Sequence, residues 1–165
     1  MTSIGILSDT HLVSCDNDFL HRITHAFNGC DIIIHAGDLT DVAILKAFSG
    51  KNVYAVHGNM CNLTTQKALP EYRTLIQDGY TIGICHGAGN RHNIEDRMFT
   101  LFPQADCIVY GHTHLAVCHT VGTTLFINPG SFQSTGRYGA QGTYGILQIN
   151  DDGLHGAIHE LPWTS

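Results

Sequence analysis

The stretch "SIGILSDTH", Ser3–His11, runs through small and branched apolar residues and then turns polar at Ser8 and Asp9. An apolar run of that length, bounded by a polar turn, reads as a buried strand reaching its carboxyl end, with Asp9 and His11 in the loop that follows. The pattern returns twice. "CDIIIHAGDL" (Cys30–Leu39) ends at Gly37 and Asp38, and "NVYAVHGNM" (Asn52–Met60) ends at Gly58 and Asn59. Between these runs, "NDFLHRITHAF" (Asn17–Phe27) places Phe19, Ile23 and Phe27 at helical spacing and stops before Asn28 and Gly29. "DVAILKAF" (Asp41–Phe48) reads as a shorter helix capped by Thr40 or Asp41. Buried strands separated by helices predict a parallel sheet built from right-handed βαβ units.

The second half of the chain changes character. "EYRTLIQ", the turn signal Asp78-Gly79 and "YTIGICHG" predict a hairpin whose second strand ends at His86 and Gly87. "NIEDRMFTLF" puts Ile94, Met98 and Phe102 on one helical face and stops before Pro103. "DCIVYGHTH" is another buried strand, ending in two histidines, His112 and His114, separated by one threonine. From "AVCHTVGTTLFINPGS" through "TYGILQINDDGLHGAIHEL" the text alternates like hairpins, with turns expected at Val121-Gly122 and Asp152-Gly153. The expectation is an α/β protein of two packed sheets flanked by helices, one domain over residues 1–165, with no repeat and no linker.

Composition narrows the function. Eight Lys and Arg stand against fourteen Asp and Glu, a formal charge of -6, and the basic residues are scattered, which argues against an extended nucleic-acid surface. Divalent ions in a deep site would still make it locally positive, so a phosphate substrate remains compatible with that charge. The six cysteines show no CxxC pairing and most sit among apolar neighbours, as free thiols of a reducing cytosol do. No basic leader precedes the first apolar run and no stretch is long and apolar enough to span a bilayer; the expected address is cytoplasmic, without a membrane partner. A homo-oligomer stays open.

What stands at or just after the strand ends is a coherent set: Asp9, His11, Asp38, Asn59, His86, His112 and His114. In open α/β sheets ligands bind outside the carboxyl ends of the strands, so these residues would converge. One metal held by so many protein groups would have no room for substrate, whereas two metals sharing one carboxylate would each keep an open position; Asp38, central among the early strands, is the natural bridge. Mixed oxygen and nitrogen donors suit Mn, Fe, Zn, Co or Ni better than Ca. Two such ions roughly 3.5–4 Å apart generate hydroxide and clamp both sides of an in-line displacement at phosphorus. If "GHTH" stays extended, residues two apart point the same way, so His112 and His114 would both face the cleft and Thr113 away. His35 is expected to satisfy a core hydrogen bond.

In order, "DTH", "GDL", "GNM", "CHG" and "GHTH" resemble the DxH, GD, GN, H and GHxH pattern of the calcineurin-like metallophosphoesterases, over nearly the whole chain. Length and the late "NPGS" look like the small prokaryotic phosphodiesterase branch. The resemblance implies a four-layer αββα sandwich of two mixed sheets. It implies one ion held by Asp9, His11, Asp38 and His114, another held by Asp38, Asn59, His86 and His112, activation by Mn, and a hydroxide bridging the two ions that hydrolyses a small phosphoester. It also places "NPGS" near the cleft, with Asn128 and Ser131 holding the loop that shapes it, and a substrate contact at His57. Arg137, in "STGRYGAQG", is a candidate phosphate clamp.

Two positions depart from the pattern. Phosphatases of the larger family often carry a histidine directly after GN to protonate the leaving group, where this chain has Met60; the small branch commonly reads GNCD, where Cys61 replaces the acidic residue. The alternatives to a phosphodiesterase are a phosphomonoesterase and a protein-interaction scaffold, since the same fold resembles that of a retromer subunit.

Overall fold

The computed structural model describes residues 1–133 and 140–162. Among the described residues ten strands form two five-stranded sheets. One has the order β10-β9-β1-β2-β3, from Gly153–Glu160, Thr143–Asn150, Thr2–Leu7, Ile32–His35 and Asn52–Ala55. The other has the order β4-β5-β6-β8-β7, from Tyr72–Gln77, Tyr80–Cys85, Cys107–Val109, Thr124–Asn128 and Val117–Val121. Each is mixed: β1, β2 and β3 are parallel, as are β5, β6 and β8, while β9, β10, β4 and β7 join antiparallel.

Alternation along each central strand explains the layers. Ile4 and Ile6 of β1, Ile32 and Ile34 of β2, Ile82 and Ile84 of β5, and Cys107 and Val109 of β6 meet in one core between the sheets. The residues between them face outward: Ile33 packs under α1 (Asn17–Phe27) with Phe19, Ile23 and Phe27, and Ile108 packs under α3 (Ile94–Leu101) with Ile94, Met98 and Phe102. Strands apolar on both faces need cover on both, which gives helix, sheet, sheet, helix.

The sequence places α1 at its observed bounds, and Asp16 caps it by accepting from Phe19 N–H at 2.7 Å. "DVAILKAF" forms a 3-10 helix over Val42–Phe48, and Asp41 is the cap, accepting from Ala43 N–H at 2.8 Å. A short helix α2 at Leu63–Ala68 was not legible, because only Thr65 of its six residues is buried and no apolar periodicity marks it. Two hairpin turns lie one residue from their expected places, at Gly122-Thr123 and Asp151-Asp152. Among the described residues no helix is long and apolar enough to cross a membrane.

Candidate metal centre

The carboxyl ends of β1, β2, β3, β5, β6 and β8 meet at one edge of the sandwich, and hydrogen bonds stitch the two sheets together there. His86 Nδ1 pairs with Ala36 O at 2.8 Å, Phe132 N–H donates to Ser8 O at 3.0 Å, and the Ser131 hydroxyl lies 3.2 Å from Asp9 O. Past the end of β1 the chain keeps company with the turn after β2: Asp9 N–H donates to Gly37 O and His11 N–H to Asp38 O. The ligand-bearing loops thus position one another through the backbone.

Two groups of donor atoms result, Asp9 with His11 and His114, and Asp9 with Asp38 and His86; within each, the ligand atoms lie within 4.8 Å of one another. His114 Nε2 is 3.1 Å and His11 Nε2 3.8 Å from Asp9 Oδ1, and His86 Nε2 is 3.0 Å from Asp38 Oδ2. Neighbouring donors around an ion with bonds of about 2.1 Å sit about 3 Å apart. Asp9 and Asp38 are buried, as is His86, while His112 and His114 line the open side. Asp9 stands in both groups; Asp38 Oδ1 accepts from Met60 N–H at 2.7 Å, leaving Oδ2 toward His86. The His112 ring lies beside His86, centroids 5.3 Å apart, and Asn59 stands with His57 and His86 on a cavity of about 150 Å³. Arg137 lies outside the described residues.

His86 carries the test of whether a cation fits. Its Nδ1 faces a carbonyl, which can only accept, so Nδ1 bears a proton and, in the neutral ring that can bind a metal, Nε2 carries the lone pair. That lone pair is buried beside the Asp38 carboxylate at 3.0 Å, yet Nε2 has no hydrogen-bond partner of acceptable direction. Two electron-rich atoms turned to the same point suit a cation placed between them. Burial disfavours charge at both groups. Even so, the hydrogen-bonding distance and charge of Asp38 hold the His86 imidazole above its ordinary range, and the imidazole holds Asp38 below its own. The Asp9 contact raises His114, and burial lowers His112.

The backbone is strained where these side chains leave it. Asp9, His11, Asp38, His112 and His114, five of the seven candidates, have φ between 49° and 67°. That region is sparsely populated by residues with a side chain, and such strain gathers at functional sites. "GHTH" is therefore not extended, contrary to the expectation from alternation: Thr113 N–H donates to Gly111 O at 2.8 Å, and with His112 at φ 67° this makes a γ-turn that aims each imidazole separately. Thr113 Oγ1 accepts from Asn128 Nδ2 at 2.9 Å, which also donates to Gly111 O, so "NPGS" braces the histidine loop. Glycine is required before two of the ligands: at Gly37 a Cβ would strike the His86 ring, and at Gly58 it would strike Asp38 Oδ1.

Further residues support the site from behind. His35 is wholly buried, accepts from Gly37 N–H at 3.2 Å through Nδ1, and therefore donates from Nε2 to Thr10 Oγ1 at 3.0 Å. It satisfies the core hydrogen bond expected of it, and it also ties the loop of Asp9 and His11 to that of Asp38. Ser8 Oγ donates to Asp9 Oδ2 at 2.5 Å. Cys61 is buried and its Sγ accepts from Gly58 N–H at 3.3 Å, closing the turn that carries Asn59.

Comparison with known proteins agrees with this geometry. A family model described as the calcineurin-like phosphoesterase superfamily domain matches residues 2–152. A probable metallophosphoesterase of Methanocaldococcus jannaschii is 34% identical over 134 residues, covering 78% of this chain and 67% of the relative. A structure titled as a novel archaeal phosphodiesterase aligns with a TM-score of 0.71 and 26% identity over 96% of this chain and 100% of that one. A Vps29 structure from Entamoeba histolytica has the same TM-score at 20% identity, over 98% and 100% of the two chains, which shows a shared fold. The strand-end residues, the two mixed sheets and the matching model all lead to one conclusion: the chain belongs to the calcineurin-like phosphoesterase superfamily, among its small prokaryotic members.

Proposed function

We propose that the chain is a two-metal phosphodiesterase acting on a small phosphoester, with Mn as its metal. The observation that carries this is the buried His86 Nε2, turned without a hydrogen-bond partner toward Asp38 at the meeting point of two carboxylates. Asp9, His11, Asp38 and His114 would hold one ion and Asp38, Asn59, His86 and His112 the other. Carboxylate and amide oxygens with imidazoles, and no thiolate, suit Mn, Fe, Zn, Co or Ni alike, and the family resemblance is what selects Mn among them. Bound ions supply Lewis acidity toward the phosphoryl oxygens and a nucleophile from water at neutral pH, so no protein nucleophile is needed.

The remaining steps fall to the chain. His112 and Asn59 orient the phosphoryl group at the open side. The cavity with His57, Gln66 and Glu71 on its wall takes the ester arm beside the reacting centre, with His57 as a substrate contact; no Lys or Arg lines it among the described residues, which favours the monoanion of a diester over the dianion of a monoester. Arg137 would add a phosphate contact. Met60 has its side chain exposed and its N–H spent on Asp38, so it supplies no acid, and esters with good leaving groups are preferred. Six free cysteines support a reducing, cytoplasmic setting.

The test is elemental analysis after chelation and Mn reload, paired with a panel of aryl mono- and diesters. Two ions per chain, diester turnover, and loss of both in Asp38→Ala are expected; full activity of reloaded Asp38→Ala refutes the mechanism. Absence of both metal and turnover in the wild type would favour a scaffold.

A further inference from the structure

Arg97, on α3, is not among the candidate ligands, yet its guanidinium organises the loop that follows His86. Nη1 donates to Ala88 O at 3.0 Å, Nη2 to Gly87 O at 3.0 Å and to Asn90 O at 2.6 Å, and Nε to Asn93 Oδ1 at 3.3 Å. A rigid fork of five donors that meets three carbonyls within four residues leaves that loop little freedom. The one carbonyl in the stretch that Arg97 does not take is that of Gly89, and it pairs with His112 Nε2 at 3.0 Å. Gly89 itself sits at φ 113°, a conformation that L side chains rarely adopt, so the direction of its carbonyl depends on both the glycine and the clamp.

A carbonyl cannot donate. The Gly89 contact exists only while His112 carries its proton on Nε2, which leaves Nδ1 as the nitrogen with a lone pair. We propose that Arg97 is a positioning residue that selects the metal-binding tautomer of His112: by pinning residues 87–90 it holds the Gly89 carbonyl against Nε2, so that Nδ1 is offered to the ion shared with His86. The inference rests on His112 serving that second ion. It parallels His86, where the Ala36 carbonyl fixes the tautomer in the opposite sense and leaves Nε2 free. Partners of this kind set ring orientation and ligand basicity in metal sites.

Ring-nitrogen NMR on the metal-free chain near neutral pH reads the tautomer directly, and Mn titration reads each site. The wild type is expected to show His112 with its proton on Nε2. Arg97→Met should give a mixture of tautomers and weaken the second ion by about tenfold or more, with the first ion unaffected. Arg97→Lys, with one point donor for three carbonyls, should fall between. Gly89→Ala, whose Cβ would lie in ordinary contact with the Arg97 guanidinium at 3.6 Å, should reproduce the effect by disfavouring φ 113°. An unaltered tautomer with unaltered uptake of both ions in Arg97→Met overturns the proposal, as does equal weakening of both ions with the tautomer intact. A wild type that takes up a single ion refutes the two-metal assignment, and the tautomer in the metal-free variants still decides the role of Arg97.

Discussion

His35→Gln isolates the contribution of one buried imidazole to acid sensitivity. His35 is fully buried, and burial, more than its charged neighbours, pushes its pKa down from 6.5 to about 3. Protonation would also set a new N–H against the N–H of Gly37, which now donates to Nδ1. The unfolded chain therefore binds this proton through pH 6.5 while the folded chain refuses it until about pH 3. Because the unfolded state holds more protons in that window, the contribution is complete above pH 6.5 and is lost as pH falls toward 3. At about 1.4 kcal/mol per pH unit, wild type loses about 2 kcal/mol from this group between neutral pH and pH 5. Glutamine keeps one amide donor for Thr10 but cannot titrate, so its cost, about 1–3 kcal/mol for the disturbed hydrogen bonds, is independent of pH. Urea denaturation of both proteins with chelator present, near neutral pH and at about pH 5, should show the stability difference, wild type minus variant, falling by about 2 kcal/mol. Titration of His86 and Asp38 is common to both and cancels. A signed difference that does not change between the two pH values refutes the assignment of a neutral, proton-refusing His35.

Asn128→Ala removes two donated bonds, to Gly111 O and Thr113 Oγ1, and the one accepted from Gly130 N–H, and should destabilise the chain by about 2–3 kcal/mol, read as a shift in urea midpoint. Asp38→Asn should loosen both ions, because the two proposed ligand sets share Asp38, whereas His114→Gln should loosen one; Mn binding isotherms separate the two results. Lys51→Met should cost about 1 kcal/mol or slightly more by releasing Phe27 O and Cys30 O at the end of α1, with metal uptake unchanged, and faster amide exchange confined to that helix end would locate the effect.

Much of this fold can be read from the chain because its strands are apolar on both faces and stop at glycine followed by a polar residue. Ile32, Ile33 and Ile34 announce a buried strand, and Gly37-Asp38 its end. Helix α1 is equally plain from Phe19, Ile23 and Phe27. Helix α2 is hidden because it lies on the surface with one buried residue, so packing leaves no period in "LTTQKA". At the site, residue types and order reveal the donors, since a few strand ends must supply all of them. Backbone conformation is not encoded in the same way. "GHTH" alternates like a strand, and only Gly111 hints at the turn that bends it. The clamp on the Gly87–Asn90 loop is a long-range product of folding, invisible in the local text around Arg97.

The unfavourable φ angles at Asp9, His11, Asp38, His112 and His114 carry an evolutionary consequence. At about 1 kcal/mol each, they draw on a total stability that for a domain of this size is about 5–15 kcal/mol. Glycine at any of these places would relax the backbone, so selection on stability alone pulls against the donors. They persist only under selection for what they bind, and a lineage released from that demand would shed them and become sturdier, keeping the sandwich and losing the chemistry.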